Sequence, residues 1–206
     1  MALNPPILYS GLPAGLPSEW FCLERSGIEL SVDTHLPTLK KQTLKRSRLY
    51  VTTQRICVIA ESTNTSGIRS FDIPLASISR ESFVQPIFGC NYLECDVAPM
   101  MGGGLESAAQ LPRVKLYFLH GGAGTFLRVF FTLMAKRRIT DERTREAFFS
   151  PPAMTSWMAQ QQAYIDPNDS SRLYLAQPTA ADFAAGTNNS STSHSTPPPS
   201  GYSQAQ

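Results

Sequence analysis

At 206 residues, 42% of them hydrophobic and 17% charged, the chain has room for one folded domain and a remainder too small to hold a core of its own. A formal charge of +2 excludes the broad basic footprint of a protein that tracks nucleic acid, so direct sequence-specific nucleic-acid binding is not expected. No run approaches the roughly 18–20 apolar residues that cross a bilayer, which argues against a transmembrane segment.

The opening Met1-Ala2-Leu3-Asn4-Pro5-Pro6 lacks the basic region and apolar core of a secretory signal, so a soluble protein that is not secreted, cytoplasmic or nuclear, is expected. After a proline- and glycine-rich stretch over 5–17, Trp20-Phe21-Cys22-Leu23 and the alternation of Ile28, Leu30 and Val32 predict two short strands around Arg25-Ser26-Gly27. Positions 35–47 are mostly polar. Lys40, Lys41, Lys45, Arg46 and Arg48 contribute +5 with no acid among them, leaving the rest of the chain at −3. This stretch reads as a basic loop between strands, and such a concentration of charge draws a local anionic surface.

Leu49 and Val51, then Ile56 and Val58, resume the apolar pattern on either side of Thr52-Thr53-Gln54-Arg55 and predict a strand, a turn and a strand. Asn64 to Gly67 marks the next turn and Ile68 to Ile73 the next strand, which Pro74 ends. Phe83–Phe88 and Asn91–Val97 read as a further pair around Gly89, and Gly102-Gly103-Gly104 as a flexible connection. From Arg113 to Leu119 the period is two, with Val114, Leu116 and Phe118 on one face.

Past Gly121-Gly122-Ala123-Gly124 the spacing of Phe126, Val129, Phe130 and Leu133 becomes helical, with Thr125 placed to cap the first turn and Lys136, Arg137 and Arg138 at the negative end of the helix dipole. The glycines are a strand-to-helix turn rather than a phosphate loop, since no Gly-Lys-Ser/Thr follows. A second helix is expected from Thr140 to Ser150, stopped by Pro151-Pro152. The predicted domain is therefore 1–150, mainly β with a C-terminal helix (α+β), about seven antiparallel strands. Residues 151–206 are a low-complexity tail that buries too little apolar area to offset the entropy of ordering it.

The cysteines Cys22, Cys57, Cys90 and Cys95 have no C-x-x-C spacing and read as buried thiols, and His35, His120 and His194 stand far apart in sequence. No nucleophile motif accompanies them, so neither metal nor cofactor nor catalysis is expected.

Thr52-Thr53-Gln54-Arg55-Ile56, the Phe71-x-Ile73-Pro74-Leu75 segment and the helix over 124–138 resemble the matching parts of a GRAM domain. More narrowly, Met1-Ala2-Leu3-Asn4, the block Gln85-Pro86-Ile87-Phe88-Gly89-Cys90-Asn91-Tyr92, Gly102-Gly103-Gly104 and Gly121-Gly122-Ala123 resemble the WW-domain-binding protein 2 family. The resemblance implies a pleckstrin-homology-like, partly open barrel capped by a helix. It also implies a non-catalytic adaptor of the transcription-coactivator kind, with protein partners that include WW-domain or transcriptional proteins. That family carries Pro-Pro-x-Tyr motifs in its tail. Here Pro197-Pro198-Pro199-Ser200-Gly201-Tyr202 sets the tyrosine one residue too far from the last proline pair, which weakens the fit to a WW groove. The alternative expectation is a phosphoinositide- or anionic-membrane-binding module, with Lys40, Lys41, Lys45, Arg46 and Arg48 on the lipid headgroup.

Overall fold

In the computed structural model, which describes residues 1–8, 11–37, 39–106 and 110–160, the alternation of Val114, Leu116 and Phe118 does place all three in the core. They lie on one of eight strands: β1 (Ala2–Leu3), β2 (Phe21–Asp33), β3 (Lys41–Thr52), β4 (Arg55–Ala60), β5 (Ser70–Pro74), β6 (Ile78–Val84), β7 (Tyr92–Val97) and β8 (Arg113–Phe118). Three helices follow, α1 (Ala123–Arg137), α2 (Glu142–Phe149) and α3 (Pro151–Gln160). The strands make one antiparallel sheet in the order β1-β5-β4-β3-β2-β8-β7-β6, a half-barrel of the mainly-β-plus-helix class that the sequence predicts.

The open side of the half-barrel is filled by α1. Phe126, Val129, Phe130, Leu133 and Met134 are buried, Phe126 stacking on Phe130 at 5.4 Å and touching Phe118 at 5.0 Å between ring centroids. The basic end of the helix is fastened to the sheet: the Arg137 Nε–H donates to the Thr53 carbonyl at 2.8 Å, and Arg138 makes a two-pronged pair with Glu81 at 2.6 and 2.9 Å. Helix α1 is capped not by Thr125, which lies inside its first turn, but by Gly122 in the left-handed region at φ +70°.

Four other expectations are corrected. The two strands predicted on either side of Arg25-Ser26-Gly27 are one strand, β2, because a bulge absorbs the glycine: Arg25 pairs with Leu49 and Ile28 with Ser47, three residues of β2 against two of β3. The basic stretch is not a loop, since Lys41, Lys45, Arg46 and Arg48 lie within β3 and only Lys40 precedes it. Strand β6 starts at Ile78 and ends at Val84, so Ile87 and Phe88 fall in the β6–β7 turn, 94% and 90% exposed. The fold also continues past 150. Pro151 stands at the first position of α3, where a missing N–H costs nothing, and Met154 of that helix is fully buried in the core.

A groove beside a basic strand

Strand β3 changes its surroundings halfway along. From Ser47 to Val51 it has β2 on one side and β4 on the other, the last β4 pair being Ser47 with Ala60. Before Ser47 only β2 accompanies it. The chain leaving β4 turns away as the loop 61–69, and between that loop and β3 lies a cavity of about 550 Å³ lined by residues 41–46 and 62–65.

On the β3 wall, Leu44 packs in the core and Gln42 is buried, while Lys41 and Lys45 are exposed and Thr43 is half-buried between them. A second bulge then shifts the phase. Ile28 pairs with Ser47 but Leu30 pairs with Leu44, so β3 carries one residue more than β2 at Lys45-Arg46, and Arg46 takes a positive φ of +47°. Both cations of this pair consequently face solvent. None of Lys40, Lys41, Lys45 and Arg46 forms an ion pair among the described residues, although Asp33 stands opposite Lys41 on β2.

The facing wall is polar and uncharged: Ser62, Thr63, Asn64 and Thr65. Asn64 organises it, its side-chain oxygen accepting from the Ser66 and Ile68 amides at 2.9 Å each. From the far side, the Asn4 side chain accepts from the Arg69 amide at 2.8 Å and donates to the Gly67 carbonyl at 3.2 Å.

Of the five cations singled out from the sequence, the structure brings Lys41, Lys45 and Arg46 to this groove. Lys40 stands one residue ahead of the strand. Arg48 is drawn elsewhere, paired with Glu24 at 3.2 Å beside Tyr50; burial works against its charge, and Tyr50 and Glu24 outweigh that and raise its pKa. The Ser62–Thr65 wall escaped sequence reading, because nothing local to the Asn64–Gly67 turn says which strand it will face. The proline motif Pro197, Pro198, Pro199 and Tyr202 lies outside the described residues.

Other polar clusters are internally matched. Arg55 at the β3–β4 turn is buried, bonded to Glu19 at 2.8 and 2.9 Å, to Asp72 and to the Ala14 carbonyl. Burial opposes its charge, but these partners hold its pKa above the usual value. Across the outer face, Lys41, Asp33, Arg113 and Asp96 stand in one row of neighbouring strands with charges alternating in sign, and Lys115 pairs with Glu94 at 3.1 Å one step along. The glycine turn before α1 is occupied by this chain itself, for Arg25 is buried there and donates to the Gly121 carbonyl. No group of three His, Cys, Asp or Glu side chains among the described residues is arranged to hold a metal. No helix among them is long and apolar enough to cross a membrane.

An antiparallel half-barrel whose open side is filled by the helix that follows its last strand is the layout of a pleckstrin-homology-like fold. No protein-family profile matches the chain. A stress-induced UPF0664 protein of Schizosaccharomyces pombe is 30% identical over 125 residues, spanning 61% of this chain and 70% of that protein, and the chain belongs to that family. Among solved structures it is similar to the Vps36 N-terminal PH domain, with a TM-score of 0.46, 14% identity, and coverage of 66% of this chain and 93% of that one. It is similar also to a chain of the 8S snRNP assembly intermediate, with a TM-score of 0.41, 12% identity, and coverage of 66% and 89%.

Proposed function

We propose that the chain is a non-catalytic adaptor, and that the groove beside β3 is the surface through which it takes hold of anionic protein partners. The observation that carries this reading is the row Lys41, Lys45, Arg46, none of them in an ion pair among the described residues, along one wall of an open groove. Cations held in no ion pair beside a cavity are ready for a ligand of opposite sign, and they also speed its approach. The row is linear and comes from a single strand, whereas the facing wall offers only hydroxyls and an amide. A compact polyphosphate is best chelated by cations converging from several elements, so the layout favours an elongated anionic ligand. The resemblance to GRAM-domain coactivators of the WW-domain-binding protein 2 family supports the same reading.

A second reading, an anionic membrane surface, is supported by the density of charge, five cations within nine residues. Each near such a surface contributes about 1 kcal/mol of attraction.

The test is binding of the purified chain to an acidic peptide and, separately, to vesicles containing phosphoinositide, across a salt series, beside a K41Q/K45Q/R46Q variant. Salt-sensitive peptide binding that the variant loses is the expected result. Equal binding by the variant would remove the groove from consideration. Binding confined to vesicles would favour the membrane reading.

A further inference from the structure

We propose that the groove accepts its partner as an added β-strand: an extended acidic segment that pairs with the free edge of β3 between Lys41 and Lys45. This rests on the adaptor reading above and specifies how the partner is held.

The edge is open for a structural reason. Strand β4 ends at Ala60, opposite Ser47, and the last backbone link across this side is the Glu61 amide donating to the Arg46 carbonyl at 3.3 Å. From Lys41 to Lys45 the strand pairs with β2 alone, and among the described residues no backbone hydrogen bond leaves it on the other side. Alternate N–H and C=O groups therefore face the 550 Å³ cavity rather than a neighbouring strand. Internal sheet edges are usually covered or paired, and an uncovered one is a template for another chain.

The pleat then states what the added strand looks like. At about 3.3 Å per residue the free edge runs for roughly 17 Å, enough for about five residues. Residues of the newcomer opposite Lys41, Thr43 and Lys45 share the outer face of the sheet with them, and those opposite Gln42 and Leu44 point inward, the one at Gln42 displacing the hydrogen bond that Asn64 donates to Gln42 at 2.8 Å. Acidic residues four apart, opposite Lys41 and Lys45, complete two cross-strand charge pairs. The residue between them meets the Thr43 hydroxyl. Beside it, the Asn64, Thr63 and Ser62 side chains supply polar contacts from the loop wall. The alternating charges on the other side of β3, where Asp33 neighbours Lys41 across the ladder, follow the same rule within the fold.

The experiment uses the full chain and a seven-residue peptide with glutamate at alternate positions and threonine between. Two backbone N-methylated forms, one methylated on the odd and one on the even residues, have the same charge but each loses the N–H groups along one edge. One form is expected to bind like the parent peptide and the other roughly tenfold or more weakly, because a strand offers only one edge to β3. Amide hydrogen exchange within Lys41–Lys45 should slow when the parent peptide is present. If both methylated forms bind equally well, the attraction is charge alone and strand addition is overturned while the groove reading stands. Slow exchange before any peptide is added, at the alternate amides of this segment that do not donate to β2, would show the edge filled by a segment of this chain or of a second copy, and would also overturn it. Binding to phosphoinositide vesicles but not to peptide assigns the groove to a membrane. Loss of both kinds of binding removes the adaptor reading with it.

Discussion

Asn64 donates from its side-chain amide to the Gln42 side-chain oxygen at 2.8 Å, and this hydrogen bond spans the groove from the loop 61–69 to β3. Gln42 is buried, so its amide depends on that partner. One residue thus shapes the loop, through the Ser66 and Ile68 amides, and sets its distance from the basic strand.

Asn64→Ala removes all three bonds. At about 0.5–1.5 kcal/mol net for each, the loss should total about 2–3 kcal/mol. For a chain of this size the expected fall in Tm is roughly 5–10 °C. Hydrogen exchange should rise in the loop 61–69. An unchanged Tm would mean that the loop is held by Asn4 alone.

The buried Arg55 has a different kind of dependence on its partners. Its ion pairs join the N-terminal segment at Glu19, whose side chain is fully buried, to β5 at Asp72. Arg55→Met should cost about 3–5 kcal/mol in urea denaturation, since two carboxylates lose their counter-charge in a desolvated place. Adding Glu19→Gln and Asp72→Asn removes those charges and should recover a good part of the loss. No recovery in the triple variant would show that Arg55 matters through its shape and its bond to the Ala14 carbonyl.

Much of the sheet was legible because its apolar positions alternate, as in β8, or run together, as in β4. Val114, Leu116 and Phe118 mark β8 from three residues, and Ile56 and Val58 mark β4. The basic end of β3 was not legible: its inward residues are Gln42, Leu44 and Ser47, two of them polar, and the bulge at Lys45-Arg46 breaks the period just where charge is densest. Asn64 announces a turn, but its bond to a residue 22 positions away depends on the whole sheet. Sequence also overread one segment. Ile87 and Phe88 look like strand residues, yet they bury almost nothing, so Ile87→Ser with Phe88→Ser should change stability by no more than about 0.5 kcal/mol in the same denaturation assay.

Two adjacent prolines suggested a boundary at 151 because proline ends the helix before it, and it can equally open the next. Met154 is the test of that distinction. It packs in the main core, with Trp157 and Phe148 partly buried against the same cluster and 5.9 Å apart between ring centroids. Met154→Ala should cost about 2–5 kcal/mol, as for other fully buried side chains, whereas a residue in a solvated tail would cost nothing measurable. Thermal melting of the full chain separates the two outcomes.

Three buried thiols give the fold an alkaline limit. Burial pushes Cys22 and Cys95 up to about 12, helped by the nearby charges of Glu19 and Asp96 respectively, and it raises Cys57 well above the ordinary thiol range with Asp72 beside it. Below about pH 8.5 the thiols are protonated in both the folded and the unfolded chain, so they add no pH dependence. Above it the unfolded chain releases protons that the folded chain retains, and stability falls as pH rises towards about 12. Each thiol then contributes a slope approaching about 1.4 kcal/mol per pH unit. Urea midpoints under reducing conditions should decline from pH 8.5 to 10, and a Cys22→Ala, Cys95→Ala variant, though less stable at pH 7, should decline less steeply because only Cys57 still carries the effect. Parallel slopes in the two proteins would mean that these thiols ionise as readily in the fold as outside it.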